Sequence, residues 1–277
     1  MAVTADYVHV HGRDVNTRLR VNALVNGQRY LAGLAIQPNN IAFRTAISRG
    51  ESLYDALMVG VNRRMSNRLD FSASYTMSRS TSDIGSASDE TDANLVQDVR
   101  DAFGSVQDAP STRSDARHRV ALSAIVEGPA GINIAPIFLY RSALPTHTFE
   151  GLDLNADGNV IDRTASAYQY TGLNANGAAT FKEAGTCDTV NCSRRTPYSQ
   201  LNLRVSRAFH AGGSARIEAI GEVFNLFNAK NPFIPVSTRR LSGAGAPLTS
   251  FMQPTAFAGD FQQPEQRVGQ VGFRITF

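Results

Sequence analysis

Apolar and polar side chains take turns along this chain, segment after segment, and few folds survive that constraint. Nine segments show it. Val8 and Val10 lie between Tyr7, His9 and His11 in the stretch Thr4 to His11. Leu19, Val21, Ala23 and Val25 oppose Arg18, Arg20 and Asn22 in Thr17 to Val25. Leu53, Leu57, Val59 and Val61 share one face of Glu51 to Arg64. Phe71, Ala73, Tyr75 and Met77 alternate with serine and threonine in Leu69 to Ser80. Arg117 to Glu127, Gly131 to Arg141, Tyr198 to Phe209, Ser214 to Phe227 and Arg267 to Phe277 repeat the pattern. Successive side chains of a strand point to opposite faces, so each segment reads as a strand with one greasy and one polar surface.

The connections sharpen the reading. Residues 12–16, 65–68, 128–130 and 210–213 are short, whereas 26–50, 81–116, 142–197 and 228–265 are long. A soluble sandwich has no reason to collect every long connection at one end of an up-and-down sheet. A barrel in an outer membrane does so, with short periplasmic turns and long extracellular loops. The segments also exceed the usual five or six residues of a strand and match a tilted crossing of the hydrocarbon layer. No run approaches eighteen apolar residues, so no transmembrane helix is expected; a barrel strand is only half apolar and escapes such a test. Charged residues make up 18% of the chain and the net charge is only +3, without a basic stripe, so nucleic acid is not an expected partner. Nine strands is an odd count, and closed bacterial barrels normally have an even one. Met1 to Tyr7 also lacks the basic and apolar regions of an export signal. Both observations predict an incomplete barrel, with upstream strands, signal peptide and any plug outside these 277 residues.

The last strand carries Val271, Phe273, Ile275 and Phe277 on one face and Gln270, Gly272, Arg274 and Thr276 on the other. A strand that ends the chain on Phe resembles the terminal strand of bacterial outer-membrane barrels, and the four apolar residues are the expected signal for the barrel-assembly machinery. Further stretches carry a more specific resemblance. They are Tyr54-Asp55-Ala56-Leu57 with Arg63-Arg64, Phe71 to Ser78, Asp115-Ala116-Arg117-His118-Arg119, Asp153 to Asn159 with Asp162-Arg163, and Glu222-Val223-Phe224-Asn225-Leu226-Phe227-Asn228. In this order they resemble the late barrel of TonB-dependent outer-membrane receptors, most closely the subgroup whose full-length members carry an N-terminal carboxypeptidase-regulatory-like domain. The resemblance covers nearly the whole chain and implies the C-terminal part of a 22-stranded barrel. It implies an unknown extracellular ligand, outer-membrane lipid as surroundings, and contact with the TonB complex only through an N-terminal plug absent from this sequence.

Candidate sites are few. Asp153, Asn155, Asp157 and Asn159, with Gly158, match the first half of a calcium loop, and Asp162 is the candidate for the missing bidentate ligand, since Thr164 stands at the twelfth position. The competing reading is a metal-free cluster of Asx turns. No cofactor is required. Cys187 and Cys192 fit a small loop disulfide of an oxidising compartment, with free thiols the competing reading. His9 and His11 share a face but have no acidic neighbour in sequence. Arg204, Arg216, Glu218, Glu222 and Arg274 read as inward-facing residues in cross-strand pairs. Loop 81–116 carries eight acidic residues and, at Leu95, Val99 and Phe103, the spacing of a short amphipathic helix. No nucleophile, serine elbow or phosphate loop is present, so the chain is not expected to be an enzyme. The alternatives are a self-contained small barrel acting as a passive pore or adhesin, and a secreted soluble calcium-binding β-domain. The second requires the greasy faces to pack on one another.

Overall fold

A computed structural model describes residues 1–20, 24–25, 28–29, 44–82, 114–154, 160, 162–187, 191–231, 238–253 and 267–277. The strands are β1 (Ala2–Arg20), β2 (Leu24–Val25), β3 (Gln28–Arg29), β4 (Arg44–Ser66), β5 (Leu69–Ser82), β6 (His118–Glu127) and β7 (Ile132–Arg141). They continue with β8 (Pro145–Thr146), β9 (Ser166–Leu173), β10 (Ala179–Thr186), β11 (Ser193–Arg194), β12 (Tyr198–Gly212), β13 (Ala215–Phe224) and β14 (Val268–Thr276). Eight of them form one antiparallel sheet in the order β1-β4-β5-β6-β7-β12-β13-β14. Each neighbour is the next long strand in sequence, the meander that alternation and connection lengths predict. A four-stranded sheet, β10-β9-β11-β8, is built from the 142–197 connection, and β2 and β3 form a small hairpin.

The first expected strand runs on without a turn into the start of the second, as far as Arg20. No turn forms at residues 12–16. The register instead slips between Gly12 and Val15 and again before Asn16, with Asp14 at φ 53, while β1 stays paired with β4 as far as Arg20. Such a bulge absorbs extra residues without reversing the chain. It joins the first expected strand to the start of the second, while Leu24–Val25 lie in β2, so the main sheet has eight strands. β4 also begins at Arg44, seven residues before the expected start at Glu51. The other short connections do reverse the chain. Asn67 and Arg68 both have positive φ, 52 and 64, as a two-residue hairpin turn with right-handed strand twist demands.

The register sorts the side chains. Across the sheet, Val3, Val61, Ala73, Leu122, Phe138 and Leu201 form one continuous apolar row. Ala5, Val59, Tyr75, Val120 and Tyr140 form the row beside it. Leu203 pairs with Val223, and Val271 and Phe273 lie on the same face of β14. This face has no cover: Leu122 is 43% exposed, Phe273 75% and Val271 85%. Phe71, Val120, Leu203 and Val223 are half-buried only by their neighbours on the sheet. The opposite face carries Asn62, Ser72, Ser123, Ile137 and Asn202 in one row, and farther along Arg204, Glu222 and Gln270 in another. Burying such apolar rows in water would need a second layer. Among the described residues the few buried apolar side chains, such as Tyr168, Phe251 and Met252, lie mainly in the outer connections. The apolar face is therefore a lipid-facing band, and the soluble β-domain, which needs it as a core, has no second layer to supply one.

Among the described residues β1 pairs only with β4 and β14 only with β13, so the sheet is open at both ends: an incomplete barrel. Placing a charge tests the assignment of faces. Leu122→Arg, in the middle of β6 on the apolar face, should destabilise the protein in lipid by about 2–4 kcal/mol, while Ser123→Arg on the polar face should cost little. Denaturant unfolding in vesicles would measure both, and equal costs would contradict the assignment.

Candidate functional site

At the end of the sheet where the long connections gather, two of them build an ordered cap. Asn174 starts the turn between β9 and β10, its Oδ1 accepting the N–H groups of Asn176 and Ala178 at 3.0 and 2.9 Å. The hairpin presents Tyr168 and Phe181 to Phe251 from the last long connection. The three rings meet edge to face at centroid distances of 5.0, 5.4 and 5.8 Å, with Met252 beside them. Such edge-to-face contacts add about 0.5–1.5 kcal/mol beyond the area buried. Burial raises the Tyr168 phenol above its ordinary value. Gln253 completes the join through two hydrogen bonds to the backbone of Ala179, accepting from its N–H at 2.8 Å and donating to its carbonyl at 3.2 Å.

The rest of the cap is polar and buried. Thr148 bonds to the Thr164 and Ser193 hydroxyls at 2.8 and 2.7 Å, and Ser193 Oγ accepts the Tyr168 N–H at 2.9 Å. Buried hydroxyls are costly unless paired, and here each finds a partner. Arg240 holds Glu150 at 2.6 Å, and that carboxylate raises the guanidinium's pKa above its ordinary value. Arg239 donates to the carbonyls of Leu241 at 2.7 Å and Gly151 at 2.9 Å. Gly151 has φ 87, and an added Cβ would sit 2.3 Å from Arg239 Nε. Cys187 and Cys192 are joined by a disulfide beside this network.

Below the cap, the polar face of the sheet lines the interior. Arg204 lies 3.9 Å from Glu218 and 3.6 Å from Glu222, and Arg274 lies 3.6 Å from Glu218. Gln270 donates to Glu222, and Arg216 pairs in register with Thr276 on the same face. At the outer end Asp115 is 1% exposed; it accepts the Ser80 N–H at 3.0 Å, while Ser78 bonds to Ala116 and Arg117. The Asp-Ala-Arg-His-Arg stretch thus fastens β5 to the start of β6. Asn225 does the same where β13 ends. With φ 52 it leaves the strand, binds the Ala229 backbone in both directions, and its N–H donates to Asn202 at 2.9 Å.

The residues singled out in the sequence are spread over three regions. Val271, Phe273, Ile275 and Phe277 sit exposed on the apolar face of the last strand. Asp153 is exposed, and Asp162 accepts the Leu154 N–H at 2.5 Å; Asn155, Asp157 and Asn159 lie outside the described residues. Leu95, Val99, Phe103 and seven of the eight acids of loop 81–116 also lie outside them. His9 is not isolated from acids, because the register sets Asp55 2.7 Å away, with the Tyr7 hydroxyl donating to the same carboxylate. These groups and the Tyr75–His118 pair, bonded at 2.8 Å, stand at the outer rim of the apolar face. The cap itself was not singled out. Its signal was legible in the alternation of Ala167 to Leu173 and Ala179 to Thr186 around an Asn-Ala-Asn-Gly turn.

A family profile described as an outer membrane beta barrel domain matches residues 1–262. The chain belongs to that family. Its place is therefore the outer membrane, with the apolar band in lipid. No curated protein matches this barrel domain. Among solved structures it is similar to the outer membrane transporter YddB from Escherichia coli, at 10% identity and a TM-score of 0.46. That likeness covers 98% of this chain and 29% of the transporter.

Two outcomes test the cap. Gly151→Ala should loosen it by about 1–3 kcal/mol, through backbone strain and the clash with Arg239, and limited trypsin digestion should then cut faster after Lys182. Unchanged digestion would show that the cap does not depend on this contact. The Tyr168 phenol is raised in the fold, so its contribution is full below the unfolded value of about 10 and is lost as pH rises through the folded value. Near-ultraviolet circular dichroism should show the cap weakening only in that alkaline range, and Tyr168→Phe should reduce the dependence, leaving the part due to Tyr170, whose phenol burial also raises.

Proposed function

We propose that this barrel domain is the C-terminal part of a TonB-dependent receptor, capturing a solute at its outer loops and lining the path by which it enters. One observation supports this best. A single polar interior face runs beneath an ordered cap formed by connections that all leave the sheet at one end. A receptor needs a rigid outer surface to recognise a ligand and a wet, lipid-free route behind it. The order and spacing of the stretches from Tyr54 to Phe277 support the TonB-dependent subgroup. In this reading the strands that complete the barrel precede β1 and pair with its bare edge. They satisfy backbone groups that would otherwise cost several kcal/mol each in hydrocarbon. The plug and its TonB contact belong to the same preceding region. The role is recognition and passage, with no covalent chemistry. The self-contained pore gains no support, since β1 and β14 do not pair with each other.

The test is depletion of solutes from growth medium by cells with and without the full protein, followed by mass spectrometry. A solute should disappear only when the protein is present and the proton-motive force is intact. Depletion that persists under a protonophore would favour a passive pore, and no protein-dependent depletion would remove the uptake reading.

A further inference from the structure

The lipid-facing side of the sheet is not evenly filled. Near the C-terminus two of its positions carry no side chain, Gly221 on β13 and Gly269 on β14. They stand diagonally in adjacent rows. Leu203, Val223 and Gly269 are register partners in one row, and Val205, Gly221 and Val271 in the next. The result is an open groove of about 420 Å³, walled by Leu203 and Val205 from β12, Val223 from β13 and Val271 from β14. Neither glycine is demanded by its backbone, since neither has a positive φ. An added Cβ would meet nothing nearer than 4.0 Å at Gly221 or 3.8 Å at Gly269, so a larger residue would fit and would fill the groove.

The next row toward the short turns holds a charge on this same face. Arg207 pairs in register with Ile132 on one side and Ala219 on the other, and Ala219 pairs with Phe273. A guanidinium among apolar neighbours in hydrocarbon is costly unless it reaches the water interface. Arg207 reaches toward it. Its guanidinium lies over the Phe209 ring, 4.8 Å from the centroid, and Phe209 is the nearer of the two to the turn at 213–214. Short turns of such barrels face the periplasm. Among the described residues no acidic side chain pairs with Arg207, and the adjoining turns, 128–131 and 213–214, contain no acid. Glu127, beside the first of them, lies on the interior face opposite Asn133.

A hollow in a lipid-facing surface is filled by acyl chain, because an empty one forfeits contacts on one side. A cation at its periplasmic end makes it selective. A phospholipid of the periplasmic leaflet lies with its headgroup toward that end and its tails toward the bilayer centre. Arg207 and the groove follow one another along β12 in the same order. A guanidinium holds phosphate by paired, directed hydrogen bonds. A zwitterionic headgroup brings its own cation to the phosphate and an anionic one does not, so the arginine favours the anionic lipid. We propose that Arg207 and the groove over Gly221 and Gly269 form a binding site for an anionic phospholipid of the periplasmic leaflet. The guanidinium, backed by the Phe209 ring, takes the phosphate. One acyl chain lies across the two glycines between Leu203, Val205 and Val271. The site ties the last three strands to the surrounding leaflet and is independent of what the barrel takes up.

The experiment is native mass spectrometry of the complete protein, extracted in mild detergent and titrated with phosphatidylglycerol or with phosphatidylcholine. Retention of phosphatidylglycerol in preference to phosphatidylcholine is expected. Arg207→Gln should weaken that retention at least about tenfold, the loss of a charge-assisted hydrogen bond. Gly221→Val should weaken it by a similar factor with no change of charge, because the new side chain occupies the floor of the groove. Valine suits a strand and meets open space there, so this variant should fold. Arg63→Gln is the control. Arg63 pairs in register with Phe71 on the same face, four strands from β12, and donates to the Ser66 carbonyl at 3.1 Å. Its loss should leave retention unchanged. Heat-modified gel mobility checks that each variant is folded. Equal retention by folded Gly221→Val, or equal losses in Arg63→Gln and Arg207→Gln, would overturn the site and leave only a general attraction of charge. No preference for phosphatidylglycerol would overturn it as well. A second copy of the chain seated in the groove would show as a dimer that Gly221→Val dissociates, and that outcome too would overturn the lipid site.

Discussion

Hydrocarbon cannot hydrogen-bond to a peptide group, and most of this structure follows from that. Within a membrane each N–H and C=O must find its partner on a neighbouring strand, so the crossing segments have to be long, extended and paired without interruption. β1 shows how strictly this acts. The sequence between Gly12 and Asn16 has the composition of a turn, yet reversing there would have left the upper half of β4 without a partner. A bulge keeps the ladder running from Ala2–Asn62 to Arg20–Arg44. The side chains then divide by face. Alternation that would build a core in water builds a band facing lipid on one side and a wet wall on the other.

The same constraint relaxes beyond the membrane, and a different kind of order takes over. Among its described residues the cap has too few apolar side chains for a true core. Tyr168, Phe181, Phe251 and Met252 make one small cluster. The remainder is held by groups that water would otherwise claim: the Thr148–Thr164–Ser193 hydroxyls, the Arg240–Glu150 pair, the Arg239 bonds to Leu241 and Gly151, and a disulfide. Paired buried hydroxyls and charges fix one arrangement better than loose apolar contact does. A surface that recognises a solute gains from that rigidity, because less ordering is left to be done on binding.

Much of the sheet was legible in the residues because its period is two and each residue reports its own face. Leu122 and Ser123 needed no partner to be placed, and neither did the whole of β14. What escaped depends on contacts remote in sequence. Nothing near residue 12 announces that β4 continues far enough outward to hold β1 straight. His9 has no acid beside it in the chain; only the register of β1 on β4 supplies Asp55. The cap joins Phe251 to Tyr168 across four intervening strands, and no local pattern encodes that meeting. The Asp-Ala-Arg-His-Arg and Phe-Asn-Leu-Phe-Asn stretches stood out as resemblances, but their work is visible only in three dimensions. Both fasten strand ends at the outer rim, where backbone groups leave the ladder and need side chains such as Asp115 and Asn225 to receive them.

The interior wall carries the remaining argument. Much of the interior wall is neutral, as the row of Asn62, Ser72, Ser123, Ile137 and Asn202 shows. Charge is placed on it in closed sets, Arg204 and Arg274 against Glu218 and Glu222, which stiffen neighbouring strands and present little net field. Low-dielectric walls focus any unmatched field into the space between them, so charge matched in this way binds the wall together without trapping what passes.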